Sequence, residues 1–186
     1  MVEYSDARFE LELVQRSRRG DVDAFEQLFH KYYRMVASIG YRYTGDTVAA
    51  EDVAQETFLK AWTHLPGFDP RYAGSFRVWL AHIARTSAID LLRRRKPAVP
   101  LDDSWQGNDG TVLDAEVERL ERARDVQEAI SRLPEKSREV LILREYGELS
   151  YAEIAEMLGI PIGTVMSRLN YARKALKQEL KEYLGG

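Results

Sequence analysis

Apolar side chains recur along most of this chain at the three- and four-residue spacing of an α-helix, and no stretch of any length alternates with the period of a strand. The spacing predicts helices over approximately 8–19, 23–44, 48–64, 75–95, 115–132 and 135–146. A further pair of helices is predicted after residue 150. The pattern therefore predicts an all-α fold.

The segment from Ser150 to Leu169 predicts two short helices around a tight turn. Ser150 and Glu153 have the spacing of a capping box at the start of the first helix, and Gly159 supplies a residue suited to the left-handed conformation that ends it. Pro161 suits the first turn of the second helix. These signals together indicate a helix-turn-helix.

The second helix of this motif has an inner and an outer side. The positions expected to face inward are Val165, Leu169, Ala172 and Leu176, and those expected to face outward are Gly163, Ser167, Asn170, Tyr171 and Lys174. Two packed helices of an ordinary all-α protein would show the same caps. Residues 164–186 carry five basic and two acidic side chains, however, and this local charge favours DNA binding.

Charge also divides the chain into two parts. The 186 residues carry a formal net charge of -3, but residues 71–96 hold seven basic side chains against one acidic side chain. Residues 97–116 hold five acidic side chains and no basic one, together with two prolines and two glycines. We therefore expect two small helical domains, 1–96 and 117–186, joined by an extended acidic linker over 97–116.

The composition sets limits on the location of the protein. The chain has no cysteine, which fits a reducing compartment, and no thiolate metal site can form. It shows no signal-peptide pattern and no apolar run of bilayer length. We expect a cytoplasmic protein without membrane insertion, cofactor or bound metal.

Two helices of the first part carry candidate binding residues. The third predicted helix has an apolar stripe that leaves Asp52, Gln55, Glu56 and Leu59 on its other sides, where a simple solvated face is one interpretation. The fourth has an aromatic and aliphatic stripe that is expected to be core, with basic residues beyond it. The preceding loop bears Phe68, Arg71 and Tyr72, and such a set suits splayed single-stranded DNA.

Five motifs in order carry a resemblance to a known family. They are Asp-Ala-Phe-Glu-Gln-Leu-Phe at 23–29, Ala-Glu-Asp-Val-Ala-Gln-Glu-Thr-Phe-Leu-Lys-Ala-Trp at 50–62, Phe-Arg-Val-Trp-Leu-Ala-His-Ile-Ala-Arg at 76–85, Leu-Pro-Glu-Lys-Ser-Arg-Glu-Val at 133–140 and Gly-Thr-Val-Met-Ser-Arg-Leu at 163–169. Over nearly its whole length the chain resembles an extracytoplasmic-function (group IV) bacterial RNA polymerase sigma factor. In that family the first domain is sigma region 2 and the second is sigma region 4.

The resemblance implies partners and sites rather than catalysis. The partners are core RNA polymerase, promoter DNA and an anti-sigma factor, and no catalytic residue is expected. The implied polymerase-binding residues are Asp52, Gln55, Glu56 and Leu59. The implied contacts to the minus-ten element are Phe68, Arg71, Tyr72, Arg77, Arg85, Thr86 and Asp90. The implied contacts to the minus-thirty-five element are Gly163, Thr164, Met166, Ser167, Arg168, Asn170, Tyr171, Arg173 and Lys174.

Three positions depart from the family pattern. Thr86 stands where the family usually has asparagine, and a hydroxyl has fewer hydrogen-bonding functions than an amide. Met166 and Tyr171 stand where basic residues are common, so neither can read guanine as a bidentate cation. We therefore expect an unusual promoter preference.

Two other classes of function remain to be weighed. An enzyme could use His30, His64 or His82, but none of them lies in a metal-binding or nucleophile motif, and each is better explained as a surface or helix-end residue. A dimeric regulator could use the same helix-turn-helix on palindromic DNA, but the chain has no evident zipper. Dependence on core polymerase would separate this regulator from a sigma factor.

Overall fold

The computed structural model describes residues 2–69, 75–94 and 114–184, with side chains over 8–69, 75–94 and 122–181. Within these residues the chain forms eight α-helices, a short 3₁₀ turn over Leu65–Gly67 and no strand. The helices are α1 (Val2–Arg18), α2 (Val22–Thr44), α3 (Thr47–His64), α4 (Phe76–Arg94), α5 (Asp114–Arg132), α6 (Glu135–Glu145), α7 (Tyr151–Leu158) and α8 (Ile162–Leu184). The predicted all-α class is confirmed.

Caps fix several of these helix ends. Asp21 and Asp46 precede α2 and α3, and each carboxylate accepts a hydrogen bond from a backbone N–H of the first turn. Gly45 ends α2 in the left-handed conformation, with φ 72°. Pro134 stands at the N-cap of α6. Pro161 stands directly before α8, one residue earlier than the first-turn position predicted for it.

Two helix boundaries differ from the prediction. Helix α1 begins at Val2 rather than near residue 8, because the first residues lack the apolar repeat on which the prediction relied. Helix α5 begins at Asp114, so the predicted extended linker 97–116 is wrong for its last three residues. An acidic residue is favourable near a helix N-terminus, which makes this a suitable place for a helix to begin. Residues 97–113 lie outside the described residues.

Helices α1 to α4 form the first helical group, in which α2 packs against α1, α3 and α4. Gly40 allows the close approach of α2 and α3, because a Cβ there would lie 3.1 Å from the carbonyl oxygen of Ala50. The core is aliphatic between the helices, with fully buried Leu28, Ile39 and Leu80. This packing leaves one side of α3 and one side of α4 to carry polar groups.

Helices α5 to α8 form the second helical group, in which α8 packs against the other three. Val165, Leu169 and Ala172 are buried as the apolar spacing predicts, whereas Leu176 is half-buried. The two groups are in contact through α2, which packs against α5 and α6. Buried residues of both groups join in one hydrophobic cluster.

Candidate functional site

The turn between α7 and α8 has the geometry that its residues predict. The backbone N–H of Ser150 donates to Glu153 Oε2 at 2.6 Å, and the backbone N–H of Glu153 donates to Ser150 Oγ at 3.2 Å. Gly159 ends α7 with φ 63°. The capping box and the left-handed glycine are therefore confirmed, and they fix the direction in which α8 leaves the turn.

The outer face of α8 is open to solvent. Met166 and Tyr171 are 54% and 53% exposed, and Gly163, Ser167 and Asn170 are exposed beside them. The hydroxyl of Ser167 donates to the carbonyl oxygen of its own helix one turn earlier. This face thus offers one free amide, two large partly apolar side chains and little charge at its centre.

Basic side chains flank this face in different states. Lys174 is exposed, Arg168 is half-buried, and the Arg173 guanidinium donates to Glu145 at 2.7 Å. Thr164, an uncharged candidate on the same helix, is half-buried. The hydrogen bond to Glu145 raises the pKa of Arg173 above its ordinary value. Arg173 would have to exchange this carboxylate for a phosphate to contact DNA, whereas Lys174 needs no such exchange.

The polar face of α3 is less uniform than the sequence predicts. Asp52 and Gln55 are exposed, and Leu59 is 67% exposed. Glu56 is half-buried and forms ion pairs with Lys60 at 2.8 Å and Arg94 at 3.1 Å. Both cations donate hydrogen bonds to the carboxylate and lower the pKa of Glu56, and the bond from Lys60 has the larger effect. Glu56 thus lies on the predicted polar side of α3, but its carboxylate is shared with two cations that the sequence did not indicate.

The candidate minus-ten residues lie along α4 and just before it, and among them Phe68 is buried. Phe68 is 4% exposed and packs against Trp79 with ring centroids 4.8 Å apart. Its ring also meets that of Phe76 edge-on at 6.0 Å. Phe68 is a core residue in this structure and offers no free π-face for an unstacked base, because its burial completes the aromatic end of the first group. Arg71 and Tyr72 lie outside the described residues.

Thr86, another candidate on α4, keeps only part of its hydrogen-bonding capacity. The Thr86 hydroxyl lies 2.9 Å from the carbonyl oxygen of Ile83 and 3.1 Å from that of His82, to which it donates within its own helix. It can thus offer an incoming base only an acceptor. Asp90 is exposed one turn later.

The candidate arginines of α4 point toward the second helical group. Arg77 donates to the carbonyl oxygen of Glu148 and lies 3.5 Å from Glu153, while Arg85 donates to Glu139 at 2.6 Å. These partners were missed by the sequence analysis, because Arg85 and Glu139 are 54 positions apart. The negative charge of α7 could have suggested a contact with the basic α4. No such signal exists for Glu139, because α6 carries three acidic and three basic side chains.

His30, His64 and His82 are exposed on helices, and no cluster of three possible metal ligands occurs among the residues whose side chains the structure describes. Within the described part of the chain, no helix has the length and apolar character needed to cross a bilayer.

Comparison with known proteins assigns the family. The Sigma-70 region 2 family model matches residues 28–97, and the Sigma-70 region 4 model matches residues 123–176. The chain is 34% identical over 180 residues to the ECF RNA polymerase sigma factor SigW of Bacillus subtilis, covering 91% of this chain and 95% of SigW. This chain belongs to the extracytoplasmic-function sigma factor family. Promoter-specific initiation of transcription by RNA polymerase is therefore its function.

Solved structures agree with the fold of this sigma factor. The structure of CnrH in complex with the cytosolic domain of CnrY matches with a TM-score of 0.72 and 29% identity, covering 94% of this chain and 98% of CnrH. The sigma factor RpoE, solved with the anti-sigma factor NepR from Bartonella quintana, matches with a TM-score of 0.64, covering 84% of this chain and 96% of RpoE. At 24% identity, this second match shows the fold alone.

Proposed function

We propose that this sigma factor selects promoters through the outer face of α8 and binds core RNA polymerase through the exposed face of α3. The observation that carries this proposal is the capped helix-turn-helix, which leaves the outer residues of α8 exposed while Val165, Leu169 and Ala172 hold the helix against the core. A helix held in this way can enter a major groove without unfolding any part of the domain.

The polymerase-binding surface consists of Asp52, Gln55 and Leu59. An exposed leucine beside a carboxylate and an amide combines apolar burial with charge, and both contribute to specific protein interfaces. Glu56 supports this surface rather than extending it, since its carboxylate is committed to Lys60 and Arg94. Because Asp52 is negatively charged, this surface suits a basic partner helix.

The minus-ten element is captured along α4 and the loop before it. Arg77 and Arg85 supply cations for the phosphates of an opened strand, and Thr86 supplies one acceptor to a base. Strand opening requires no covalent chemistry, because binding to the opened strand need only exceed the loss of stacking and pairing, a few kcal/mol for each flipped base. The protein therefore acts by binding alone, without catalytic residue or cofactor.

A second protein regulates access to these surfaces. The likeness to CnrH, which was solved in complex with the cytosolic domain of CnrY, supports a protein partner, and the resemblance to the family implies that this partner is an anti-sigma factor. Both the sigma factor and core polymerase act in the cytoplasm.

A run-off transcription assay tests the proposed function. We expect the purified chain to yield promoter-specific transcripts when core RNA polymerase is added and none when it is omitted. Omission of the chain, with core polymerase present, is the matched control. Tight binding of the chain alone to palindromic duplex DNA, with no effect on core polymerase, would instead identify a dimeric regulator.

Substitutions on α8 test how the upstream element is read. Asn170 is the exposed amide on the outer face and suits adenine, so Asn170→Ala should relax discrimination by about 1 to 3 kcal/mol at one base pair. Lys174→Ala should weaken binding to all sequences alike and reduce the salt dependence by about one phosphate contact. Selection from randomised promoters with each variant measures both effects.

The same selection tests the departures at Met166 and Tyr171. Their side chains favour apolar contact, for example with a thymine methyl group, over recognition of guanine. We expect the wild-type protein to select few guanine-dependent positions in the minus-thirty-five element. Recovery of a guanine-rich element that depends on either residue would show that α8 enters the groove in another orientation.

A further inference from the structure

The pair formed by Arg85 and Glu139 joins the two helical groups. Nε and Nη2 of Arg85 both lie 2.6 Å from the same carboxylate oxygen of Glu139. The two side chains are only 22% and 16% exposed, so water screens this pair less than a surface pair. Charge-assisted hydrogen bonds of this length are stronger than neutral ones. The guanidinium of Arg85 is therefore occupied by a residue of α6.

Arg77, two turns earlier on α4, is held in a similar way. One nitrogen of its guanidinium donates to the backbone carbonyl of Glu148, and another lies 3.5 Å from Glu153 Oε1. Glu153 also completes the capping box of α7 through its other oxygen. The helix-turn-helix itself thus supplies groups that hold Arg77.

A third contact ties α2 to the second group. Arg42 donates to the side-chain oxygen of Gln127 at 2.9 Å, and its guanidinium lies 4.5 Å from the ring centre of Tyr146. Gln127 is buried, and its amide nitrogen lies 3.5 Å from the carbonyl oxygen of Arg42. The contact between the groups therefore spreads over α2, α4, α5, α6 and α7.

Tyr43 of α2 lies among the charged groups of this contact. The hydroxyl of Tyr43 is buried beside the guanidinium of Arg85. Burial raises its pKa, and the charges acting on it belong to Arg85 on one side and to Glu139 and Arg138 on the other.

We propose that the second helical group blocks the strand-binding face of α4 in the free protein, with Glu139 and Glu153 occupying the arginines where DNA phosphates would bind. The DNA part of this inference rests on the proposed function, while the closed arrangement itself does not. Arg85 cannot donate to Glu139 and to a phosphate with the same two nitrogens. Strand capture therefore requires the two helical groups to separate. In this proposal, they separate when core polymerase binds to the α3 face.

Energy transfer between two dyes measures the closed arrangement directly. The chain contains no cysteine, so Gln27→Cys on α2 and Lys177→Cys on α8 give two specific labelling sites, both exposed. We expect high transfer in the free protein and lower transfer for Glu139→Arg, which places two cations together. Glu135→Arg, an equal charge change at an exposed position one turn earlier on α6, should leave the transfer high.

A double variant in which the two charges are exchanged, called the exchanged pair, distinguishes loss of the contact from loss of folding. Arg85→Glu combined with Glu139→Arg reverses both charges and should restore the high transfer of the wild-type protein. Thermal unfolding of each variant checks that the helices remain intact. Low transfer in the single variant that is not recovered in the exchanged pair would overturn the role of this ion pair, as would unchanged transfer in the single variant.

Binding of a fluorescent single-stranded DNA pool of random sequence, without polymerase, measures the occlusion. Glu139→Arg should bind about tenfold more tightly than the wild-type protein, since opening frees both arginines of α4. Glu135→Arg adds the same charge without opening and should change binding by less than about twofold. The exchanged pair should bind weakly, because it is closed and has lost Arg85.

The two measurements also separate this inference from the proposed function. An open Glu139→Arg variant that binds single-stranded DNA no better than Glu135→Arg would overturn the occlusion. Polymerase-dependent transcription by the wild-type protein would still stand in that case. Conversely, failure of the run-off assay would overturn the proposed function and leave the energy-transfer result unaffected.

Discussion

Replacing Asp52 by lysine should weaken association of this sigma factor with core RNA polymerase by about 30-fold, or on the order of 2 kcal/mol. Asp52 is exposed on α3, on the face shared by Gln55 and Leu59. If that face meets a basic surface, the substitution replaces an attraction by a like-charge contact. Titration of the labelled chain with core enzyme measures the affinity, and urea unfolding should show an unchanged midpoint.

Glu56 is unsuitable for the same test because of its ion pairs. Reversing its charge would break the ion pairs with Lys60 and Arg94 and would leave three cations together, so any lost affinity could come from a disturbed fold. Glu12→Lys, an equal charge reversal at an exposed position on α1, is the matched control and should bind core polymerase normally. Equal affinities for the Asp52 variant and this control would remove the α3 face from the interface.

Replacing Leu169 by alanine should lower the free energy of unfolding by about 2–5 kcal/mol. Leu169 is 1% exposed on the inner side of α8, where its side chain holds the helix to the rest of the second group. The loss combines the transfer of buried methyl groups into water with the cavity left behind. Urea unfolding followed by circular dichroism measures the effect, and promoter binding should fall because α8 is no longer fixed.

Met166→Ala is the matched comparison, three residues earlier on the outer side of the same helix. Met166 is 54% exposed, and a substitution there should change stability by no more than about 0.5 kcal/mol. It should alter promoter preference while leaving the unfolding midpoint in place. A large loss of stability in this variant, or none in Leu169→Ala, would contradict the assignment of inner and outer faces.

Much of the fold could be predicted because its signals are local. The capping box at Ser150 and Glu153, the left-handed Gly159 and the apolar steps from Val165 to Ala172 each depend on residues within a few positions of one another. Local backbone and side-chain chemistry therefore decides them in advance of tertiary packing. The start of α1 escaped prediction because it has no such signal.

In the candidate site, too, the features set by local spacing could be predicted and those set by tertiary packing could not. The exposed positions of α8 follow from helical periodicity, and Asp52 and Gln55 are exposed opposite a buried stripe as predicted. The prediction is wrong for Phe68, since an aromatic ring before a helix can either meet solvent or close the core, and only the surrounding rings decide which. The ion pair of Glu56 with Arg94 could not be predicted, because the two residues are 38 positions apart in the chain.

The sequence by itself determined the all-α class, the helix-turn-helix with its inner and outer faces, and the family to which the chain belongs, because each depends on short-range spacing and residue type. Only the tertiary structure decided which charges meet. Arg85 finds Glu139 and Arg77 finds Glu153 through the packing of two helical groups that are distant in the chain. Charge attraction acts through space and carries no register along the sequence, so these partners become visible only when the helices are in place.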